Sequence, residues 1–324
     1  MKCETQILTA DRANQIYERF KERSSKDDEY TDWAGYREEL TDFIVQCTRP
    51  GGSLLILGAG KCNDLDLRKL AEHCGSITLS DYRKETVEEA FRRYGLAPSE
   101  KLGASIADYV GITDEDYLEY TERLLGVMEK LGEEAAGPGL EETAGSGLED
   151  IAGPELVRLR QTLDRIYRDN EAYRIDLGDK TYDNAVVVGV HSQLNNSFRG
   201  LFQYVHKDVR ERLGELRFAE ELNDAVFQMT REHTGDLVLR FNDAVFASAR
   251  EGIIYGYEKW IIYTPNGASE PVIGTVDGAR QAGELIADFP IEQRLGCLWP
   301  LSKRRGVKFE MDICYLPVDG WDFS

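Results

Sequence analysis

The sequence predicts an α/β fold, a mainly parallel sheet with helices on both faces. Three observations carry this expectation. Ser53 to Asp64 reads S-L-L-I-L-G-A-G-K-C-N-D, a short apolar run that enters a glycine-rich turn and then a helical pattern. Tyr182 to His191 is the most apolar run of the chain, and its β-branched valines suit a central parallel strand. Ile291–Leu298 and Lys308–Leu316 read as two strands joined by the basic turn Lys303-Arg304-Arg305-Gly306, close enough for a hairpin.

Composition narrows the function classes. Apolar residues make up 42% of 324, enough to bury a sizeable core. Lys and Arg number 39 against 59 Asp and Glu, a net charge of -20. Such a surface repels phosphate backbones and anionic membranes, so neither nucleic acid nor membrane is an expected partner. No apolar run reaches the ~20 residues that span a bilayer. Met1 to Arg12 is polar and lacks the apolar stretch of a secretory signal. The six cysteines are scattered without a C-x-x-C pair, which favours reduced, buried thiols in a cytoplasmic protein over disulfides or zinc. With four histidines in the chain, no metal site is expected.

The chain then reads in order. Ala10 to Arg23 is amphipathic, with Ala13, Ile16, Tyr17 and Phe20 on one face. Trp33 to Cys47 carries Tyr36, Leu40, Phe43 and Ile44 in the same way. These two helices form an N-terminal helical segment over residues 1–48, which either covers a ligand cleft or pads the sheet. Leu54–Leu57 is the first strand, and Asp64 is read as the N-cap of a helix over Leu65–Cys74. Ile77–Ser80 is a second strand ending at Asp81, and Thr86–Tyr94 a helix. Ala104–Ile112 contains the third strand and its exit, passing Asp108 and Tyr109. Asp114–Leu131 is helical, with Tyr117, Tyr120, Leu124, Leu125 and Met128 as core.

Residues 132–155 break the pattern. Gly139–Ser146 and Gly147–Pro154 form an eight-residue tandem repeat, and the stretch holds seven acids and no base. Two short copies bury no core of their own. An acidic surface insertion, flexible or loosely helical, is expected. Helical periodicity returns at Leu156–Asn170, then at Phe198–Leu216 and Glu220–His233. Leu237–Phe241 is read as a fifth strand. Residues 244–275, rich in Ile, Tyr and Trp and broken by Gly252 and Gly256, read either as an aromatic-walled substrate-binding insertion or as one or two extra strands. Asp277–Phe289 is helical.

The order of these signals resembles a class I S-adenosylmethionine-dependent methyltransferase over about residues 30–317. The resemblance rests on the strand and glycine turn at Ser53–Gly60, and on Asp81, 21 residues after Gly60. It rests also on Asp108, the strand end Gly189-Val190-His191 and the closing hairpin. It implies a Rossmann-like domain over 49–324 with a seven-stranded sheet of order 3-2-1-4-5-7-6, the last strand antiparallel. It implies S-adenosylmethionine as cofactor and S-adenosylhomocysteine as product. Gly58, Ala59, Gly60 and Asn63 would line the methionine side. Asp81, with Tyr82, would take the ribose, and Asp108, with Tyr109, the adenine. Gly189, Val190 and His191 would lie near the transferred methyl. Two positions depart from the family's acid-x-Gly-x-Gly-x-Gly pattern, since Ile56 stands for the acid and Cys62 for the third glycine. The Asn/Asp-Pro-Pro-Tyr signature of amino-methylating nucleic-acid enzymes is absent after strand four. With the net charge, this turns the expected substrate toward a small molecule or peptide, methylated on O or N.

In such a reaction the protein mainly aligns and desolvates the acceptor. His191 is the candidate general base, because an imidazole of ordinary pKa near ~6.5 can take a proton from a hydroxyl or ammonium. A turn-stabilising role is the other reading of the same residue. Tyr17, Tyr36, Asn195 and Asn196 are candidate substrate contacts, the tyrosines as walls for a cation. Two rival functions stand beside this one. An NAD(P)-dependent oxidoreductase would need G-x-G-x-x-G, and Asn63 falls at the third glycine. A non-catalytic cofactor-binding module would use the acidic repeat to dock a partner protein.

Overall fold

The structure, a computed structural model, describes residues 2–23, 30–136, 147–264 and 270–318. Two helices, α1 (Lys2–Arg23) and α2 (Ala34–Cys47), precede the first strand. Then come β1 (Ser53–Leu57), α3 (Leu67–His73), β2 (Ser76–Asp81), α4 (Lys84–Tyr94) and β3 (Leu102–Ile106). Two long helices, α5 (Asp114–Ala136) and α6 (Leu148–Asp169), separate β3 from β4 (Tyr182–Val188). A 3-10 turn at His191–Gln193 leads to α7 (Asn196–Leu213), α8 (Ala219–Arg231) and α9 (Thr234–Ser248). The chain continues with β5 (Ala249–Tyr263), β6 (Val272–Gly274), α10 (Asp277–Leu285), β7 (Gln293–Ser302) and β8 (Val307–Pro317).

The strands form one sheet of order β3-β2-β1-β4-β5-β8-β7, with short β6 paired to β5. The pairs β1–β2, β1–β4, β2–β3 and β4–β5 are parallel. β8 runs antiparallel to both β5 and β7. This is the order and the reversed last strand that the resemblance implied, with β6 as an added three-residue strand. Leu54–Leu57 of β1 and Tyr182–Val187 of β4 are buried residue after residue, as strands covered on both faces must be.

Several elements differ from the sequence reading. Leu237–Phe241 is helix, not strand, within α9. Leu237, Val238, Phe241 and Val245 are buried while Leu239 is exposed, so the burial repeats every three to four residues rather than every two. The fifth strand is instead Ala249–Tyr263, inside the stretch that read either as an insertion or as one or two extra strands, and it pairs with β4 on one side and β8 on the other, so the strand reading of that stretch holds. Strand three begins at Leu102, two residues before the reading placed it, and its exit follows Ile106. The N-cap of α3 is Asp66, whose carboxylate accepts from the amides of Arg68 and Lys69 at 3.1 and 3.2 Å, rather than Asp64. In the acidic repeat, residues 137–146 lie outside the described residues. Residues 148–155 are the first turns of α6, where the Asp150 carboxylate accepts from the Gly147 amide at 2.9 Å.

The chain divides into two compact units. One is helical and holds α1, α5, α6, α7 and α8. Its centre is Phe198, whose ring meets Tyr117, Tyr120 and Tyr167 at centroid distances of 5.1, 4.8 and 5.6 Å. Asp208 there gathers Arg12, Arg19 and Arg212. The other unit holds the whole sheet with α2, α3, α4, α9 and α10. Cys47, Cys62, Cys74, Cys297 and Cys314 are free thiols. No helix among the described residues is long and apolar enough to cross a membrane, and no described cluster of His, Cys, Asp and Glu is arranged to hold a metal.

The sheet is pinned at the start of β1 and β4 by Asp183. Its side chain is buried, and its Oδ2 accepts from the Ser53 amide at 2.6 Å and from Ser53 Oγ at 2.9 Å. Its Oδ1 receives the guanidinium groups of Arg49 and Arg250 at 2.8 and 2.6 Å. These donors outweigh the cost of burial and hold the carboxyl well below the usual carboxylate range. The stabilisation is therefore complete above the unfolded carboxylate pKa of about 4 and is lost as pH falls below it. Asp183→Asn keeps the shape but removes the charge. It is expected to lower stability at pH 7 by about 2–3 kcal/mol, the scale of hydrogen bonds to a charged group. Urea unfolding at pH 7 checks this; a midpoint unchanged from wild type would refute it.

Candidate functional site

The carboxyl ends of β1, β2 and β4 lie side by side, because Leu57 is in register with Ser80 and with Val187. In an open parallel sheet this edge is where ligands bind. The turn after β1 is built from left-handed residues, with φ of +65° at Gly58, +49° at Gly60 and +49° at Cys62. A Cβ on Gly58 would fall 2.5 Å from Val190 Cγ2, so glycine is what lets this turn close against the end of β4. At Gly60 a Cβ would meet nothing nearer than 3.9 Å, so that side of the turn is open. Cys62, at the expected third glycine, adopts the glycine-like conformation although it is buried.

Three bonds hold this turn, two to β2 and one to Tyr109 beyond β3. The Gly58 amide donates to Tyr109 Oη at 3.1 Å, the Ala59 amide to the Ser80 carbonyl at 3.0 Å, and the Gly60 amide to Asp81 Oδ2 at 2.8 Å. Tyr109 Oη in turn donates to Ser80 Oγ at 2.9 Å. Asp81 Oδ1 accepts from the Arg83 amide at 3.1 Å and Thr86 Oγ1 at 3.2 Å. A carboxylate offers about four acceptor positions, so three donors leave it room for one more. Asn63 joins the site through its carbonyl, which takes Arg37 Nη1 at 2.9 Å, and its side-chain oxygen, which takes Arg93. Asp108 is exposed and caps the Val110 amide at 2.9 Å. Tyr82 is exposed, with the Arg83 guanidinium 5.4 Å from its ring centre.

His191, expected near the transferred methyl as the candidate base, is sealed inside instead. Its ring is 1% exposed, between Phe241 and Tyr255, and Nε2 lies 2.9 Å from Asn242 Oδ1. Asn242 Nδ2 donates to Tyr255 Oη at 2.9 Å, so the three side chains form one buried set. Burial pushes the imidazole down to about 4, which keeps it neutral near pH 7. Tyr17, Asn195 and Asn196 belong to the helical unit. There Tyr17 Oη donates to Asp114 Oδ1 at 2.8 Å, and Asn195 Nδ2 donates to the Thr230 carbonyl at 2.6 Å.

Tyr36 has a different neighbourhood, which the sequence reading missed. Its ring stacks on Trp299 of β7, with centroids 5.7 Å apart and planes 13° from parallel. Trp33 meets the same indole edge-on at 5.0 Å. Beside them Glu258 of β5 is 1% exposed; its Oε1 accepts from Ser192 Oγ at 2.6 Å. Gly189 lies against both walls, since a Cβ there would be 3.0 Å from Trp299 Cζ3 and 3.6 Å from Glu258 Oε1. Glu258 Oε2, Tyr36 Oη, Trp33 Nε1 and Trp299 Nε1 are buried without a hydrogen-bond partner among the described residues. Burial raises the carboxyl pKa of Glu258, and pushes that of Asp64, which also acts on Tyr36, to about 6. One signal was legible in the letters. Ile254, Gly256 and Glu258 share a strand face by alternation, which puts a lone acid on an apolar face.

No family model matches the chain, and no curated protein matches it in sequence. Solved structures do resemble it. The N-methyltransferase NodS from Bradyrhizobium japonicum WM9, in complex with S-adenosylhomocysteine, aligns over 93% of this chain and 98% of its own at 11% identity and a TM-score of 0.38. The magnesium protoporphyrin IX methyltransferase of Synechocystis PCC 6803, with S-adenosylhomocysteine bound, aligns over 97% and 99% at 9% identity and a TM-score of 0.36. At these similarities the weight falls on the chain's own strand order and side chains.

The buried His191 makes a pH prediction. Its folded pKa of about 4 lies below the unfolded value of about 6.5, so the unfolded chain binds the proton first as pH falls. Stability from this group is whole above pH ~6.5 and declines toward pH ~4, by about 3 kcal/mol in total. His191→Gln, which can still pair with Asn242, should flatten that decline. Denaturant midpoints at pH 7 and pH 5 test it; equal pH slopes for the two proteins would show that His191 does not titrate as a buried neutral ring.

Proposed function

We propose that the chain is an S-adenosylmethionine-dependent methyltransferase acting on an O or N acceptor of a small molecule or peptide. The observation that carries this reading is the sheet order with antiparallel β8, together with the Gly60–Asp81 contact at its carboxyl edge. The residues fit the group. The open side of Gly60 leaves room for a ligand against the backbone, and Asp81 retains an acceptor position for a ribose hydroxyl. Tyr109 holds the turn in shape through Gly58 and Ser80. Bound there, S-adenosylmethionine supplies an electrophilic sulfonium methyl. The chain's own residues orient the acceptor and exclude water from it. Gly189 and Ser192, at the end of β4, stand beside the buried aromatic and acidic side chains and are the natural acceptor edge.

The net charge of -20 supports a non-nucleic-acid acceptor, and free thiols support a cytoplasmic setting. His191, neutral and buried, serves in this reading as a support of the turn rather than as the base. Calorimetric titration with S-adenosylmethionine, S-adenosylhomocysteine and NAD tests the assignment. Micromolar binding of the two sulfur ligands is expected, with none of NAD; the reverse pattern, or no binding at all, sinks it. Asp81→Ala, confirmed as folded by its melting curve, should weaken S-adenosylhomocysteine by about tenfold, near 1.4 kcal/mol.

A further inference from the structure

Glu258 poses a specific chemical question. It is a carboxyl group at 1% exposure, on a strand face otherwise occupied by Ile254 and Gly256, and one of its oxygens has no partner among the described residues. Burying an acceptor of this strength without a donor is costly, and native chains rarely leave one so. The walls around it are aromatic. Trp299 and Glu258 both lie against Gly189, Tyr36 stacks on Trp299, and Trp33 closes its edge. Ring faces attract cations, indoles most strongly, and attract neutral hydroxyl compounds far less. A second acid, Asp64, also acts on Tyr36.

We infer that Glu258, Trp33, Tyr36 and Trp299 form the binding site for an organic ammonium, and that the methyl acceptor of this chain is therefore an amine. The inference rests on the methyltransferase reading only for the word acceptor; the ammonium site stands on the side chains alone. Glu258 Oε2 takes an N–H of the ligand, Ser192 Oγ holds Oε1 in place, and Trp299, backed by Tyr36 and Trp33, flanks the charge. A protonated amine has no lone pair to offer until one N–H bond breaks. Glu258 Oε2 accepts that proton, an O–H bond forms, and the electron pair stays on nitrogen. Desolvation of the carboxyl raises its proton affinity and suits it to this exchange.

The test uses the full chain saturated with S-adenosylhomocysteine. Benzylamine, phenethylamine and a short series of primary alkylamines are titrated, each beside the alcohol of the same skeleton, with tryptophan fluorescence as readout. Amines are expected to quench saturably, and the matching alcohols to bind about tenfold more weakly or worse. Glu258→Gln, checked by its melting temperature, should cost the amines about 30-fold or more while S-adenosylhomocysteine affinity stays within about twofold. Ser192→Ala, which keeps the carboxylate and removes only its donor, should cost them about fivefold and remains informative if the first variant fails to fold. Equal binding of amines and alcohols, or no binding by any amine, overturns the inference. So does a Glu258→Gln protein that loses its preference for S-adenosylmethionine over S-adenosylhomocysteine but keeps its amines, since the box would then serve the sulfonium. Should the wild type bind amines but no S-adenosylhomocysteine, the methyltransferase reading fails and the ammonium site remains.

Discussion

β1 is paired in parallel on both sides, and the arrangement of the site depends on that pairing. Because Leu57 is in register with Ser80 and Val187, the chain leaves β1, β2 and β4 along a single edge. Every residue assigned to the nucleotide side then follows from which amino acid comes next. Gly58 can turn left-handed against Val190, and Asp81 can accept the Gly60 amide, only at this register. A slip of one residue would turn each side chain to the opposite face. Asp183 guards the register from the other end, holding Ser53 and two arginines where β1 and β4 begin.

The same edge holds two sets of buried polar groups with opposite character. His191, Asn242 and Tyr255 satisfy one another, apart from His191 Nδ1, and the imidazole stays neutral. Such a set makes a rigid turn. Glu258 and the three rings beside it have four polar atoms without a partner among the described residues. A satisfied network stabilises a turn, whereas buried polar atoms without a partner carry an uncompensated desolvation cost. The imidazole was the obvious base on the sequence, yet its Nε2 is already paired with Asn242, while Glu258 Oε2 and the polar atoms of three neighbouring rings have no partner among the described residues.

The errors of the sequence reading share one physical origin. Leu237–Phe241 has a strand-like composition, and five residues are too few to separate a period of two from one of 3.6. Burial at Leu237, Val238, Phe241 and Val245 shows which period applies. The stretch from Ala249 to Tyr263 read either as an insertion or as extra strands, because Gly252 and Gly256 interrupt its apolar run. Both glycines are required by neighbours instead. A Cβ at Gly252 would fall 2.3 Å from the Tyr315 ring, and one at Gly256 would meet Val188 and Ile313. Those neighbours come from other strands, so nothing local announces them.

The sequence by itself determined the alternation of strands and helices, the left-handed turn at Gly58–Gly60 and the acid at the end of β2. These depend on propensity, on the steric freedom of glycine and on spacing, all of them local. Only the tertiary structure decided that His191 is sealed inside and that Glu258, from the fifth strand, joins Trp33 and Tyr36 from around α2 and Trp299 from β7. Desolvation and unpartnered atoms are properties of surroundings assembled from distant segments, and no stretch of chain carries them alone.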